Sequence, residues 1–540
     1  MQPAATPSRW RQPSDPRAAK ALPIPGVAFV MSHHRDRRQQ RRPCPGPRTS
    51  HALRSVTARP APPPARRAGP HNAGVDSQRL QLINRYRALR DVPDTQVAKA
   101  KRGREFNQFL AEVLTAGGAE ARADNRGLDG RDEIDVVFAV DGVRYIAEAK
   151  WLNDAVNDDP IGKIERRLKT RPPGVRPAFF SMSGYIDLVL RNAETDPTVV
   201  LLDRTHVEIL VSGLFTPYQL FDRLHTVTAR RGGSYVSVTN LLTPDLPTFM
   251  PGWRAAAPDT VLPSAEYAPG VTVRPLWAGV SLEEATGLTG VSEHEVLVTT
   301  YGGVHRLNIT TGDPVTREDL VLAGRRHGSS AQLRGDSELL VLTEEVVVSR
   351  RDGELEALAG AITGAGRLLA HPDGSVWAFS TTGPTGPVYR GSHTLVRVGD
   401  RLGDEQRHTI EFSGQVDNVV FTADGRLYLV GGSRSGHLDI EQKMALDSAT
   451  WRDGPPARCD ALLALDAQTI LSAGPDPGGA AVVVHRTDVA TNRHSLVCRL
   501  PGLNRATALV LRGDGRVLLL ADNRGNEQGP HPVLLEVELA

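Results

Sequence analysis

Glu133 to Trp151 reads EIDVVFAVDGVRYIAEAKW, and the fold of the region around it turns on this stretch. Ile134, Val136 and Phe138 alternate against the other face, Asp141-Gly142 supplies a tight turn, and VRYIAEAKW returns, so the run predicts a β-hairpin. Side chains at i and i+2 along a strand share a face, so Glu148 and Lys150 point the same way while Ala149 faces away. A hairpin of this length places Asp135, near the start of its first strand, beside Glu148, near the end of its second. Ile146, Ala147 and Trp151 give these charges an apolar setting. Burying two carboxylates near one lysine is costly unless ion pairing or a metal compensates.

On the N-terminal side, DSQRLQLINRYRALR has Leu80, Leu82, Ile83, Tyr86 and Leu89 at helical spacing. KRGREFNQFLAEVLTAGG sets Phe106, Phe109, Leu110, Val113 and Leu114 on one face and ends at Gly117-Gly118. On the C-terminal side, IGKIERRLK reads as a helix and RPAFFSMSG and TVVLLDRTHVEILVSG as strands, with a helix fitting between them and FTPYQLFDRLHTV closing the unit. This order predicts a mixed α/β layer architecture.

Phosphodiester hydrolysis needs an activated water, neutralised phosphate charge and help for the leaving oxygen. A hard cation held by carboxylates, with a lysine close by, meets those needs. Asp135 followed by Glu148-Ala149-Lys150 resembles the D…(D/E)-x-K core of the PD-(D/E)xK nucleases, and the longer run is similar to the Mrr-type restriction endonucleases and archaeal-type Holliday-junction resolvases. RGREFNQFLAEVLTAGG resembles their opening helix; FFSMSGY and VVLLDRTHVEILVSG resemble their later strands. The proline of the family name is absent, Asp132-Glu133-Ile134 standing before Asp135. The resemblance implies a restriction-endonuclease-like domain that cuts DNA. Asp135, Glu148 and the Ala149 carbonyl would hold Mg2+, Lys150 would position water, and Glu105 would assist through a metal-bound water. Lys163, Arg166 and Arg167 are candidates for phosphate contact, or simply the solvated face of a helix. Two blander alternatives stand beside this: surface ion pairs on an edge hairpin, and a nuclease fold that only binds nucleic acid. His206 is read as structural, since no H-E-x-x-H or comparable ligand pair is present. No nucleotide-binding G-x-x-x-x-G-K-[ST] loop occurs either.

Beyond Pro251 the chain changes to short apolar strands and turns. Glu293, Asp336, Asp373, Asp424, Asp466 and Asp514 recur in related segments such as HPDGSVWAFSTTG and TADGRLYLVGGS. Their intervals of roughly 40–50 residues are those of propeller blades, and the region resembles WD-repeat and quinoprotein-like β-propellers. The D-G pairs read as hairpin turn chemistry rather than calcium ligands.

Residues 1–74 form an Arg/Pro-rich, low-complexity tail expected to be disordered. Up to Pro70 it carries about a dozen net positive charges, against a net charge of +2 for all 540 residues, so the remainder is acidic. The tail is read as solvated or as sequence upstream of a start at Met31, with phosphate binding as the functional alternative. A signal peptide over 21–30 is disfavoured by two prolines and the arginines that follow. Cys44, Cys459 and Cys498 have neither disulfide nor zinc spacing, which fits a reducing cytosol. No apolar run is long enough for a membrane span.

The expected architecture is multidomain: the tail, a restriction-endonuclease-like α/β domain over 75–250, and an all-β propeller of six or seven blades over 251–540. The expected function is Mg2+-dependent cleavage of DNA in defence or repair, in the cytoplasm. The propeller would recognise a protein or ligand, and a homodimer would serve cutting of both strands. The alternative is a propeller scaffold or sensor whose α/β domain binds nucleic acid without cutting it.

Overall fold

The computed structural model describes residues 73–539 with breaks, the longest at 127–132, 243–252, 256–264, 311–326, 381–390, 440–451 and 524–531. The tail, Met31, Cys44, Asp132, Asp336 and the expected boundary at Pro251 lie outside the described residues.

The first half opens with helices α1 (Ala73–Arg90) and α2 (Gln96–Ala116). Thr95 caps α2 by accepting the Ala98 N–H, and Gly117 ends it. A Cβ at Gly117 would lie 2.2 Å from Pro217 Cδ, so the close approach of the two segments requires glycine there. Strands β1 (Glu120–Arg126), β2 (Glu133–Val140) and β3 (Val143–Lys150) follow, then α3 (Asp158–Leu168), β4 (Val175–Ser181), α4 (Asp187–Thr195) and β5 (Val200–Asp203). Helices α5 (Arg204–Ser212), α6 (Pro217–Arg231) and α7 (Val238–Leu242) complete the region. The five strands lie in sequence order in one sheet, antiparallel through β3 and parallel from β3 to β5. Asp141 and Gly142 turn the hairpin with φ of 49° and 75°, the paired left-handed conformations of a two-residue turn.

The sheet is covered on both faces. Val136, Phe138, Ala147, Phe180 and Leu202 pack with α1, α2, α5 and α6, while Ile146, Phe179 and Leu201 pack with Ile164 of α3 and Val189 of α4. Two expectations need correction. TVVLLDRTHVEILVSG is not one strand: Asp203 ends β5 and caps α5, accepting the Thr205 and His206 N–H groups. A local cap thus overrides the strand propensity of a β-branched run. The polar β1 was not anticipated, because an edge strand has no need of an apolar pattern.

The second half is a six-bladed β-propeller as far as the described residues show. The innermost strands, Ala285–Gly290, His327–Arg334, Arg367–Ala370, Asn418–Phe421, Ala461–Ala464 and Arg505–Leu511, each neighbour the next, and the sixth neighbours the first. The ring is closed by strands that precede the first blade: Thr272–Gly279 pairs with Val533–Glu538 in the sixth sheet, and Glu266–Tyr267 with Arg493–Pro501 in the fifth. Glu293, Asp373, Asp424, Asp466 and Asp514 all fall in the turn between a blade's first and second strands, so the repeat was read in the right place.

On the α3/α4 face the sheet has an apolar cluster of its own, but on the other face the core continues into the propeller. One apolar cluster runs from Ile83, Tyr86, Phe109 and Val211 into Leu339, Val341, Leu355, Ala357 and Leu402 of the propeller. Arg90 donates to the Leu402 carbonyl at 2.8 Å and pairs with Asp404; Arg204 pairs with Glu356 at 2.9 Å. Gly360 lies so close to α5 that a Cβ there would stand 2.7 Å from the Ser212 carbonyl oxygen.

Candidate functional site

The backbone ladder between β2 and β3 runs from Val140↔Val143 to Val136↔Ala147 and stops there. Just past its end Asp135 and Glu148 face each other. Ala149 N–H donates to Asp135 Oδ2 at 2.9 Å, a side chain standing where a backbone partner would be. In an extended strand a residue's N–H and C=O leave toward the same neighbour, so the Ala149 carbonyl lies on this edge too. The Lys150 carbonyl leaves on the opposite edge and accepts from Met182 N at 2.9 Å.

Lys150 Nζ lies 3.0 Å from Asp135 Oδ2 and 2.6 Å from Glu148 Oε1. Arg167, near the end of α3, donates to Glu148 Oε2 at 2.5 Å. The carboxylate side chains retain only 14% exposure at Asp135 and 12% at Glu148. Burial by itself would lower the Lys150 pKa, but the attraction of Asp135 and Glu148 outweighs it and holds the ammonium above its ordinary value. The cluster therefore balances two carboxylates with two cations in a partly dry pocket.

The remaining site candidates are distributed differently. Glu105 pairs with Lys101 along α2 at 3.5 Å, and no contact joins it to the cluster among the described residues. What α2 sends inward is Arg102, which is buried, lies over the Trp151 ring at 5.1 Å and donates to the Trp151 carbonyl at 3.3 Å. Lys163 and Arg166 are exposed on α3, and Arg167 is turned to Glu148. The pairing of Arg167 with Glu148 was missed, although the helical spacing of Arg167 from Ile164 held a hint of it. His206 is fully buried, with Nδ1 2.8 Å from Asp203 Oδ1 and Nε2 2.9 Å from the Val236 carbonyl oxygen, which makes it part of a helix cap. Cys459 and Cys498 are free and buried, and burial pushes both thiols up, Cys498 to about 12.

Among the described residues no three His, Cys, Asp or Glu side chains gather as a metal-ligand group. A cation here would rest on Asp135, Glu148 and the Ala149 carbonyl, an all-oxygen set suited to a hard divalent ion. No helix among the described residues is long and apolar enough to cross a membrane.

The inner strands of the propeller enclose a channel of about 630 Å³. At the start of these strands Arg367 donates to Asn418 Oδ1 at 2.7 Å, and Asn418 Nδ2 donates to the Asp460 carbonyl at 2.7 Å, stapling successive blades.

No family model matches the chain, and no curated protein matches it. Among solved structures it is similar to a luciferin-regenerating enzyme, with 13% identity over 50% of this chain and 96% of that one and a TM-score of 0.37. A gluconolactonase from Xanthomonas campestris gives 14% identity over 55% of this chain and 97% of that one, with a TM-score of 0.36. The PQQ domain of a pyranose dehydrogenase from Coprinopsis cinerea gives 11% identity over 53% and 100%, with a TM-score of 0.37. At these scores the likenesses carry no argument about activity.

Proposed function

We propose that the chain is a propeller scaffold bearing a metal-dependent nuclease centre of restriction-endonuclease-like type, with DNA as its substrate. The observation that carries this reading is the convergence of Asp135, Glu148 and Lys150 at the open end of one hairpin. A helix, a hairpin and later strands in that order are also what the sequence resemblance to such nucleases implies. Asp135, Glu148 and the Ala149 carbonyl would hold Mg2+, which when bound supplies charge neutralisation at a phosphate and activation of water. Lys150, fixed by both carboxylates, orients a water on the phosphate and offsets the charge that develops there. The exposed Lys163 and Arg166 lie on the helix beside the cluster and would meet the nucleic-acid backbone. The propeller, with its channel, would engage a protein partner or small ligand.

A second reading has its own observation. Both carboxylates are already neutralised by Lys150 and Arg167, as in a cluster that serves structure or binding alone. On that reading the chain is a scaffold or sensor that holds nucleic acid without cutting it.

Nicking of plasmid, genomic and branched DNA by the full chain across a Mg2+ titration separates the two. On the first reading, Lys150→Ala lowers nicking ~10²–10³-fold with Mg2+ affinity retained, and Asp135→Asn loses both. A wild type that binds these DNAs and cuts none favours the second. An Asp135→Asn protein matching wild type in both assays sinks the first.

A further inference from the structure

Arg167 is the cation of the cluster that comes from outside the hairpin. Ile164, fully buried, anchors α3 to the sheet, and three residues on, about one helical turn, Arg167 reaches Glu148. Lys150 is shared between two carboxylates, whereas among the described residues the ion pair of Arg167 is with Glu148 alone. Each Glu148 oxygen is therefore occupied, Oε1 by Lys150 and Oε2 by Arg167.

A hard cation on Glu148 needs one of those oxygens at about 2.0–2.6 Å, and a guanidinium on the same carboxylate would face it as a like charge. Lys150 can give up Glu148 and keep Asp135. Among the described residues Arg167 has no second carboxylate to keep, so it is the group that leaves. Its side chain retains 26% exposure, so it has an open side to move toward. A planar guanidinium suits two-point bonding to a phosphate better than an ammonium does.

We propose that Arg167 is a counter-ion switch, which occupies Glu148 while no cation is bound and turns to a DNA phosphate beside the cut when a divalent cation displaces it. The proposal rests on the nuclease reading above. It assigns one residue two effects of opposite sign: Arg167 weakens cation binding and strengthens engagement of the phosphate.

The test uses the full chain as wild type, Arg167→Ala, Arg167→Lys and Asp135→Asn, with melting curves to verify folding. Calorimetry with Mg2+ alone is run beside plasmid nicking. Arg167→Ala should bind Mg2+ roughly 3- to 10-fold more tightly than wild type and nick about 10²-fold more slowly at saturating Mg2+. Arg167→Lys should keep near-wild-type Mg2+ affinity and recover part of the nicking. Asp135→Asn should abolish the Mg2+ signal, which ties it to this site. Arg167→Ala binding Mg2+ no more tightly, while wild type still cuts, overturns the switch and leaves the nuclease reading standing. Tighter binding in a protein that cuts nothing in any form overturns the phosphate half together with the nuclease reading. Nicking by Arg167→Ala at the wild-type rate overturns the phosphate half alone.

Discussion

In the propeller, four of the recurrent acids bond within their own turns. Asp373 accepts the Ser375 N–H at 2.8 Å, Asp466 the Gln468 N–H at 2.6 Å, Asp514 the Arg516 N–H at 3.2 Å, and Asp424 the Thr422 hydroxyl at 2.5 Å. In the α/β region, Asp135 and Glu148 cap no turn; they stand past the end of a ladder, where the backbone has run out of partners. A carboxylate that satisfies the turn it belongs to is explained by folding. A mostly buried pair of carboxylates with cations from β3 and α3 is not explained by a turn of its own. The two regions nevertheless share one apolar core, so the site is held on the propeller rather than hung from it.

The largest expected effect tests that shared core. Tyr86 is fully buried, its ring stacked 6.2 Å from Phe109 and 6.1 Å from Trp151, and its hydroxyl donates to Glu208 Oε1 at 2.7 Å. Burial holds the Glu208 carboxyl above its ordinary pKa despite the pull of Arg204. Tyr86→Ala opens a cavity and strips a buried carboxyl of a partner, at a cost of about 3–5 kcal/mol. Denaturant unfolding followed by circular dichroism and tryptophan fluorescence should give one coincident transition at a lower midpoint. Two separate transitions in the wild type would break the claim that the regions unfold together.

A smaller effect sharpens the electrostatic side of the comparison. Burial alone would raise the Asp203 pKa, but His206 and the bonds from Thr205 and Tyr235 outweigh it and pull the carboxyl far below its usual range. A lowered folded-state pKa adds stability above the unfolded value of 3.8 and loses it as pH falls through the folded value. Asp203→Asn should therefore cost about 1–2 kcal/mol at pH 7, with the gap to wild type closing below about pH 4. A gap that stays constant from pH 7 to pH 3 would show that the charge of Asp203 contributes nothing.

The sequence carried the hairpin, its turn and the mutual approach of Asp135, Glu148 and Lys150, because strand periodicity and a D-G turn are local signals. The blade repeat was legible for the same reason: each Asp-Gly pair marks its own turn, with Gly374, Gly425 and Gly515 at φ near 80°. Helix α5 was hidden because Val207, Ile209, Leu210 and Val211 read as a strand, and only Asp203 three residues before His206 betrays the cap. The junction left no trace in the pattern. Leu355 and Leu402 look like ordinary strand and turn residues until α5 and α7 are laid against the first and α1 against the second. Arg167 was visible as a basic residue, but its partner lies 19 positions back across a helix–strand crossover.

The smallest effect falls on a propeller turn. Asp424 accepts from Thr422 Oγ1 at 2.5 Å and from Arg426 Nε at 2.7 Å, and its pKa is lowered: burial works against this, and the Thr422 and Arg426 bonds outweigh it. The turn also has its own backbone bond, Gly425 N–H to the Thr422 carbonyl at 2.9 Å, which survives removal of the side chain. Asp424→Ala should therefore cost only about 0.5–1 kcal/mol, read as a small drop in the denaturation midpoint with an unchanged slope. Since the residue serves its turn, Mg2+ affinity and DNA nicking should match wild type. Asp135→Asn should show the reverse, with little change in stability and loss of both readouts. If Asp424→Ala impaired nicking as much as Asp135→Asn, the division between turn acids and site acids would fail.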